Sequence, residues 1–164
     1  MKRIIFTSII MMFAVAAFSQ QIYNIKVSDR QDGTFEQYYG TVKVTGNILN
    51  GMKEGSWVEN HPNSELPHFI LQYKEGKKDG LYLEFDKQGN IVKKVDYKND
   101  MIDGMSHVWR KGGMLSVKQE YKAGQLHGLS MIYTDKGFIQ EESVYKEGKR
   151  DGMTIWYSYA DKQQ

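Results

Sequence analysis

The sequence predicts an all-β fold, an elongated single-layer antiparallel sheet of stacked β-hairpins made of about five repeats of 24–25 residues. The first observation is a period, because tyrosines recur every 24 residues, at Tyr73, Tyr97, Tyr121 and Tyr145. A fixed short period is the signature of a repeat array. The second observation is that apolar and polar residues alternate within each unit, as they do in a strand. Two glycines per unit also disfavour a helix, since glycine is costly in a helix interior.

The first half of each unit is predicted to be a strand followed by a tight turn. Leu81, Leu83 and Phe85 alternate with more polar neighbours, which indicates a strand with one apolar face. The stretch 86–90 begins with Asp and has Gly89 in its fourth position. That composition is typical of a type I turn that leads into a left-handed residue.

The second half of each unit is predicted to return along an adjacent strand at 90–97 and to turn again over 98–104. Glycine closes this turn because the backbone there needs a conformation that a Cβ would strain. Replacement of Gly104 by valine is therefore expected to destabilise the array more than any change of a surface charge. Stacking places equivalent residues in columns, so the face with Leu81 and Phe85 is expected to be buried by neighbouring repeats.

The chain divides into three parts. Residues 1–19 are predicted to be a signal peptide, because Lys2 and Arg3 precede the uncharged apolar run 4–18, and the stretch 17–19 has small residues at the two positions that a signal peptidase reads before a cleavage after Ser19. That run is shorter than the roughly 20 residues that cross a bilayer. Residues 20–45 are predicted to form one or two terminal strands, from 22–27 and 38–45, around a polar loop at 28–33, and 46–164 to form the repeat array.

The charge balance gives no sign of a nucleic-acid partner. The chain has 22 Lys and Arg residues, which become 20 without Lys2 and Arg3, and it has 20 Asp and Glu residues. Basic and acidic residues alternate along every repeat, whereas a nucleic-acid site needs a basic cluster. The chain has no cysteine, so disulfide bonds cannot contribute to its stability.

The repeated unit, Tyr-x-x-Gly-x-x-Asp-Gly followed by an aromatic and a second glycine, resembles the MORN repeat over about residues 46–160. It resembles most the bacterial MORN variant of antitoxin-like proteins of the YwqK type. The resemblance implies an elongated, twisted antiparallel sheet that acts as an interaction scaffold. It also implies links to toxin–antitoxin pairs for some members and to membranes for eukaryotic relatives.

Catalytic and metal chemistry find little support in the sequence. His61 and His68 bracket Glu65, but their spacing matches no zinc template, and a polar loop is the expected structure. His107 falls on the predicted apolar face, where we expect a hydrogen-bonded structural histidine. The acidic pair at 141–142 is expected on the surface. Without a nucleophile motif or a phosphate-binding loop, the chain is predicted to be no enzyme and to need no cofactor or metal.

Binding residues are instead predicted at the C-terminal end of the array. Trp156, Tyr157 and Tyr159 form an aromatic edge that no further repeat covers, and Val108 and Ile132 lie on the mixed polar and apolar face. The chain is thus expected to be an exported scaffold that binds another protein. Two alternatives remain, an antitoxin or immunity-like protein and a module that attaches to envelope glycan or lipid through its aromatic rows.

Overall fold

Eleven antiparallel strands form one open sheet in the computed structural model, which describes residues 21–158. Each strand pairs with its neighbours in sequence, so β1 and β11 are the two edges. The predicted all-β single-layer fold is thereby confirmed. The predicted signal peptide and Tyr159 lie outside the described residues. The elements are α1 (Gln21–Asn24), β1 (Gly33–Tyr39), β2 (Val42–Leu49), β3 (Met52–Asn60), β4 (Pro67–Lys74), β5 (Lys77–Phe85), β6 (Ile91–Lys98), β7 (Met101–Trp109), β8 (Leu115–Lys122), β9 (Gln125–Tyr133), β10 (Ile139–Lys146) and β11 (Lys149–Trp156).

The turn predicted at 86–90 is present and recurs in the later repeats. The Asp86 amide bonds the Asn90 carbonyl, the Gly89 amide bonds the Asp86 carbonyl, and Gly89 has a φ of 84°. Asp86 Oδ1 also accepts hydrogen bonds from the backbone amides of residues 88 and 90. Gly113 and Gly137 hold the equivalent position with φ of 80° and 81°. The left-handed residue therefore explains why the second glycine of each unit is required.

The other turn is shorter than predicted. Strand β6 pairs Lys98 with Met101 of β7, so only Asn99 and Asp100 connect them, with φ of 48° and 68°. Positive φ at both central residues marks the type I′ hairpin turn. Gly104 lies inside β7, where the pairing of β6 with β7 shifts register between Val95 and Tyr97. The prediction of a turn over 98–104 was therefore wrong, because the glycine serves a bulge within a strand.

The buried face is the opposite of the one predicted. We call the face that carries Trp57, Leu71, Tyr82 and Val95 the inner face, and these four side chains are buried. The face with Leu81 and its equivalents, the outer face, is only half-buried. Both faces carry apolar residues, so alternation alone could not decide between them. Two of the repeated tyrosines distinguish the faces, because Tyr73 belongs to the core on the inner face and Tyr97 packs against it there.

The N-terminal segment covers the first part of the inner face and does not form the strand predicted at 22–27. Ile22, Ile25 and Val27 join the core cluster of β1 to β6, and the Lys53 ammonium donates a hydrogen bond to the Ile22 carbonyl. The second predicted terminal strand, 38–45, is split by the turn between β1 and β2. An apolar run without a partner strand at the sheet edge instead packs across the sheet.

Candidate interaction surface

An apolar ladder crosses the C-terminal half of the inner face. Val108 of β7 pairs with Val117 of β8, Val117 with Ile132 of β9, and the ladder continues through Glu141 of β10 to Trp156 of β11. Directly paired residues share a face and lie side by side. The structure therefore brings together three of the predicted binding residues, Val108, Ile132 and Trp156. We call these five residues the C-terminal ladder.

Two other predicted binding residues do not join this ladder. Tyr157 follows Trp156 directly, so its side chain lies on the outer face, where its hydroxyl donates to Glu142 Oε2 at 3.3 Å. Desolvation, with Glu142 as the second cause, raises the pKa of Tyr157. Tyr159 lies outside the described residues. The aromatic cluster predicted at the edge is thus divided between two faces, as strand alternation requires.

Strand β11 is an edge with large exposed apolar side chains. Trp156 is 62% exposed and Met153 is 83% exposed. The Tyr157 amide donates to the Gln140 carbonyl of β10. Since amide direction alternates along a strand, the amides of Thr154 and Trp156 point away from β10. No strand within residues 21–158 pairs with that side of β11, and an open edge of this kind is a template for another strand.

An ion pair between the exposed Arg150 and the buried carboxylate of Glu141 lies next to Trp156 in the ladder. Glu141 is only 6% exposed, and its Oε1 accepts hydrogen bonds from Arg150 Nη2 and Ser143 Oγ, both at 2.6 Å. Arg150 Nε also donates to the Tyr145 hydroxyl at 3.1 Å. The bond to Tyr145, followed by the charge of Glu141, raises the pKa of Arg150. The expectation that acid 141 lies on the surface was wrong, because strand pairing turns it to the inner face.

His61 and His68, which bracket Glu65 in the sequence, lie together beside a different acid, Glu59. His61 and His68 lie with ring centroids 4.6 Å apart, and His68 Nδ1 is 3.6 Å from Oε1 of Glu59, whereas Glu65 is exposed and lies near Lys43. His61 lies in the predicted loop, 61–66 between β3 and β4, but it is buried there and its Nε2 contacts the Phe85 carbonyl at 3.1 Å. Within the described residues, no group of three His, Cys, Asp or Glu side chains could hold a metal ion.

Sequence reasoning missed Glu59, although its position allowed the inference. It is two residues after Trp57 on the same strand face, and it pairs with Phe69 of β4. Its Oε2 is buried and has no hydrogen-bond partner. A carboxylate oxygen left in that condition costs stability, because burial removes its hydration.

His107 is on the outer face, as predicted, but its expected hydrogen bond is missing. Its ring stacks on Trp109 with centroids 5.6 Å apart, and its Nδ1 is buried without a partner. Cross-strand neighbours Lys94 and Lys118 flank it. Burial, followed by the charges of Lys118 and Lys94, lowers the pKa of His107. The His107 ring thus packs against Trp109 on the outer face.

A concave region lies at the N-terminal end of the sheet, where the segment 25–28 crosses it. It encloses about 540 Å³ and is lined by Lys53, Tyr73 and Lys78 among others. Lys53 is buried against the rings of Trp57 and Tyr73, at 5.3 and 5.0 Å. Burial, with Lys78 as the second cause, lowers the pKa of Lys53 to about 8. The Lys53 ammonium donates its hydrogen bond here to the protein's own N-terminal segment, at the Ile22 carbonyl.

Comparison with known proteins adds no identification. The chain matches no model of a protein family, and no curated protein matches it at a significant level. The resemblance to the MORN repeat stays a prediction from residue spacing. The part of the chain that the structure describes holds no helix with the length and apolar character to cross a membrane.

Proposed function

We propose that this chain is an exported, non-enzymatic repeat scaffold that binds another protein through the C-terminal ladder and the edge of β11. The observation that carries the proposal is the contrast between the two ends of the inner face. The N-terminal end is covered by the segment 22–27, and Trp57 there is fully buried. The C-terminal end has no such cover among the described residues, and its ladder ends at the exposed Trp156.

The composition of the ladder suits protein recognition. Binding energy in protein interfaces concentrates in a few aromatic and arginine side chains surrounded by apolar contacts. Trp156 offers the aromatic ring, Val117 and Ile132 the aliphatic surroundings, and Arg150 a guanidinium with its centre 5.9 Å from the Trp156 ring. The ion pair between Arg150 and Glu141 holds this group in place before a partner arrives, which reduces the entropy lost on binding.

Three sequence arguments support the remaining parts of the proposal. The charged start and apolar run of residues 1–19 support export, and the spacing of the repeats supports the MORN-like scaffold role. A non-enzymatic role is supported by the absence of any nucleophile or phosphate-loop motif in the sequence.

Affinity capture from an envelope extract of the source organism tests the proposal. The chain beginning at Gln20 is immobilised beside its Trp156→Ser variant. Tyr38→Ser is the matched control, since Tyr38 is 58% exposed on the opposite edge strand, β1. We expect one protein to be retained by the native chain and by Tyr38→Ser and to be lost by Trp156→Ser. Retention of only envelope polysaccharide or lipid, or equal retention by all three, would overturn the proposal.

A further inference from the structure

We infer that the free edge of β11 accepts an extended segment of the partner as a further antiparallel strand, with a tyrosine of that segment opposite Gly152. The inference rests on the proposed function and specifies the partner's chemistry. It follows from a pairing of glycine with tyrosine that occurs four times in the sheet. Gly152 is the fifth such glycine, and no tyrosine among the described residues pairs with it.

The pairing involves the glycine in the middle of every odd-numbered strand from β3 onward. Each such glycine pairs directly with the repeated tyrosine of the following strand: Gly55 with Tyr73, Gly80 with Tyr97, Gly104 with Tyr121 and Gly128 with Tyr145. The glycines share a positive φ, between 66° and 119°. Gly152 of β11 has the same conformation, with a φ of 97°.

The surroundings of Gly152 also match those of two filled tyrosine positions. A cation two residues before the glycine lies over the paired ring, with Lys53 Nζ 5.0 Å from Tyr73 and Lys78 Nζ 5.2 Å from Tyr97. Arg150 stands two residues before Gly152 and projects onto the same inner face. A tyrosine opposite Gly152 would therefore lie beside a guanidinium, a favourable cation–π arrangement.

The register of the sheet extends the prediction to the rest of the partner segment. In an antiparallel strand, the residue two before the tyrosine would face Thr154, and the residue four before it would face Trp156. Strand β8 shows the pattern beside β7, where Tyr121 faces Gly104, Gln119 faces Ser106 and Val117 faces Val108. Because Trp156 is apolar, the partner segment is expected to have an aliphatic residue four positions before the tyrosine. It is expected to have a small or polar residue two positions before the tyrosine, and any residue at the two positions between.

The backbone of β11 is ready for this pairing. The amides of Thr154 and Trp156 point away from β10, so their hydrogen bonds are available to an incoming strand. Recognition of this kind draws affinity from main-chain hydrogen bonds and specificity from the side chains of alternate residues.

A peptide with the sequence of β8, LSVKQEYK, is the probe for this edge. Its binding to the chain beginning at Gln20 is measured by calorimetric titration, beside a peptide with alanine in place of the tyrosine. We expect the alanine peptide to bind at least about tenfold more weakly, since it loses the ring contact with Gly152 and Arg150. Equal affinity of the two peptides, or no binding of either, would overturn the inference.

A protein variant separates edge pairing from other binding modes. Thr154→Pro removes one outward amide and leaves the hydrogen bonds of β11 to β10 intact, so its melting temperature should stay close to that of the native chain. We expect it to lose at least about tenfold in peptide affinity. Unchanged affinity in a folded variant would place the peptide elsewhere and overturn the inference. Self-association of the native chain that Thr154→Pro abolishes would also overturn it, because the occupant would then be a second copy.

The capture and the titration fail independently. A protein captured through Trp156, together with no binding of the β8 peptide, would overturn the edge pairing and leave the proposed function standing. Peptide binding with no protein captured would overturn the proposed function and leave the edge pairing standing.

Discussion

Replacement of Gly104 by valine tests the physical role of the glycine within the strand. Gly104 has a φ of 119°, which L-residues rarely adopt, and a Cβ there would come within 3.0 Å of Cβ and Oδ2 of Asp96. The same Asp96 Oδ2 accepts a hydrogen bond from the Met105 amide at 3.0 Å. Valine therefore adds backbone strain and displaces the side chain that holds the bulge.

The magnitude follows from these two effects. Backbone strain of this kind costs on the order of 1–3 kcal/mol. Loss of a charge-assisted hydrogen bond adds about 1.5–3 kcal/mol, so Gly104→Val should lower the free energy of unfolding by about 2.5–6 kcal/mol. Gly112→Val is the matched control, since Gly112 has a φ of 93° and a Cβ there would meet nothing within 4 Å. Gly112→Val should therefore lower the free energy of unfolding by the backbone strain alone, about 1–3 kcal/mol.

Urea denaturation followed by circular dichroism measures both variants against the native chain. We expect Gly104→Val to be less stable than Gly112→Val by about 2 kcal/mol. Equal losses would show that Asp96 does not matter, and would refute the explanation of Gly104 as part of a bulge that Asp96 fixes from the neighbouring strand.

Three further predictions use other contacts. Gly46→Ala should cost about 3 kcal/mol or more in thermal denaturation, because its Cβ would lie 2.3 Å from the buried Trp57 ring; an unchanged melt would contradict this. His127→Asp should raise the free energy of unfolding by about 0.5–1 kcal/mol, because an aspartate at this position accepts a hydrogen bond from the first amide of the next turn in two other repeats. Asp103, for example, accepts from the Ala123 amide at 3.0 Å. No gain in melting temperature would argue against that cap. Lys53 has a folded-state pKa of about 8 against an ordinary 10.5, so the unfolded chain binds more protons between these values. The native chain should therefore gain stability relative to Lys53→Met as pH rises from about 8 to 10, and parallel pH profiles of the two would contradict the assignment.

The repeat period and the turn at Gly89 could be predicted because they depend on local properties. A 24-residue spacing, strand alternation and the need for a left-handed glycine are all visible in a single unit. The same local character made Val108, Ile132 and Trp156 predictable as residues of one face, since equivalent positions of successive repeats share a face.

The buried face and the fate of the N-terminal segment could not be predicted in this way. Tyr82 and Leu81 are neighbours of similar apolar character, and only the packing of distant elements decides which of them is buried. Ile22 belongs to the core because it lies against strands 20 or more residues away, as its contact with Lys53 shows. Burial of Glu141 likewise depends on Arg150 in the next strand.

The most direct test is amide hydrogen exchange along β11, measured by NMR in the free chain and with saturating β8 peptide. In the free chain, the amides of Thr154 and Trp156 should exchange without protection, whereas those of Ile155 and Tyr157, directed to β10, should be protected. Added peptide should protect Thr154 and Trp156 as well. Protection of these two amides before peptide is added, or none after saturation, would contradict the assignment of this edge as the binding surface.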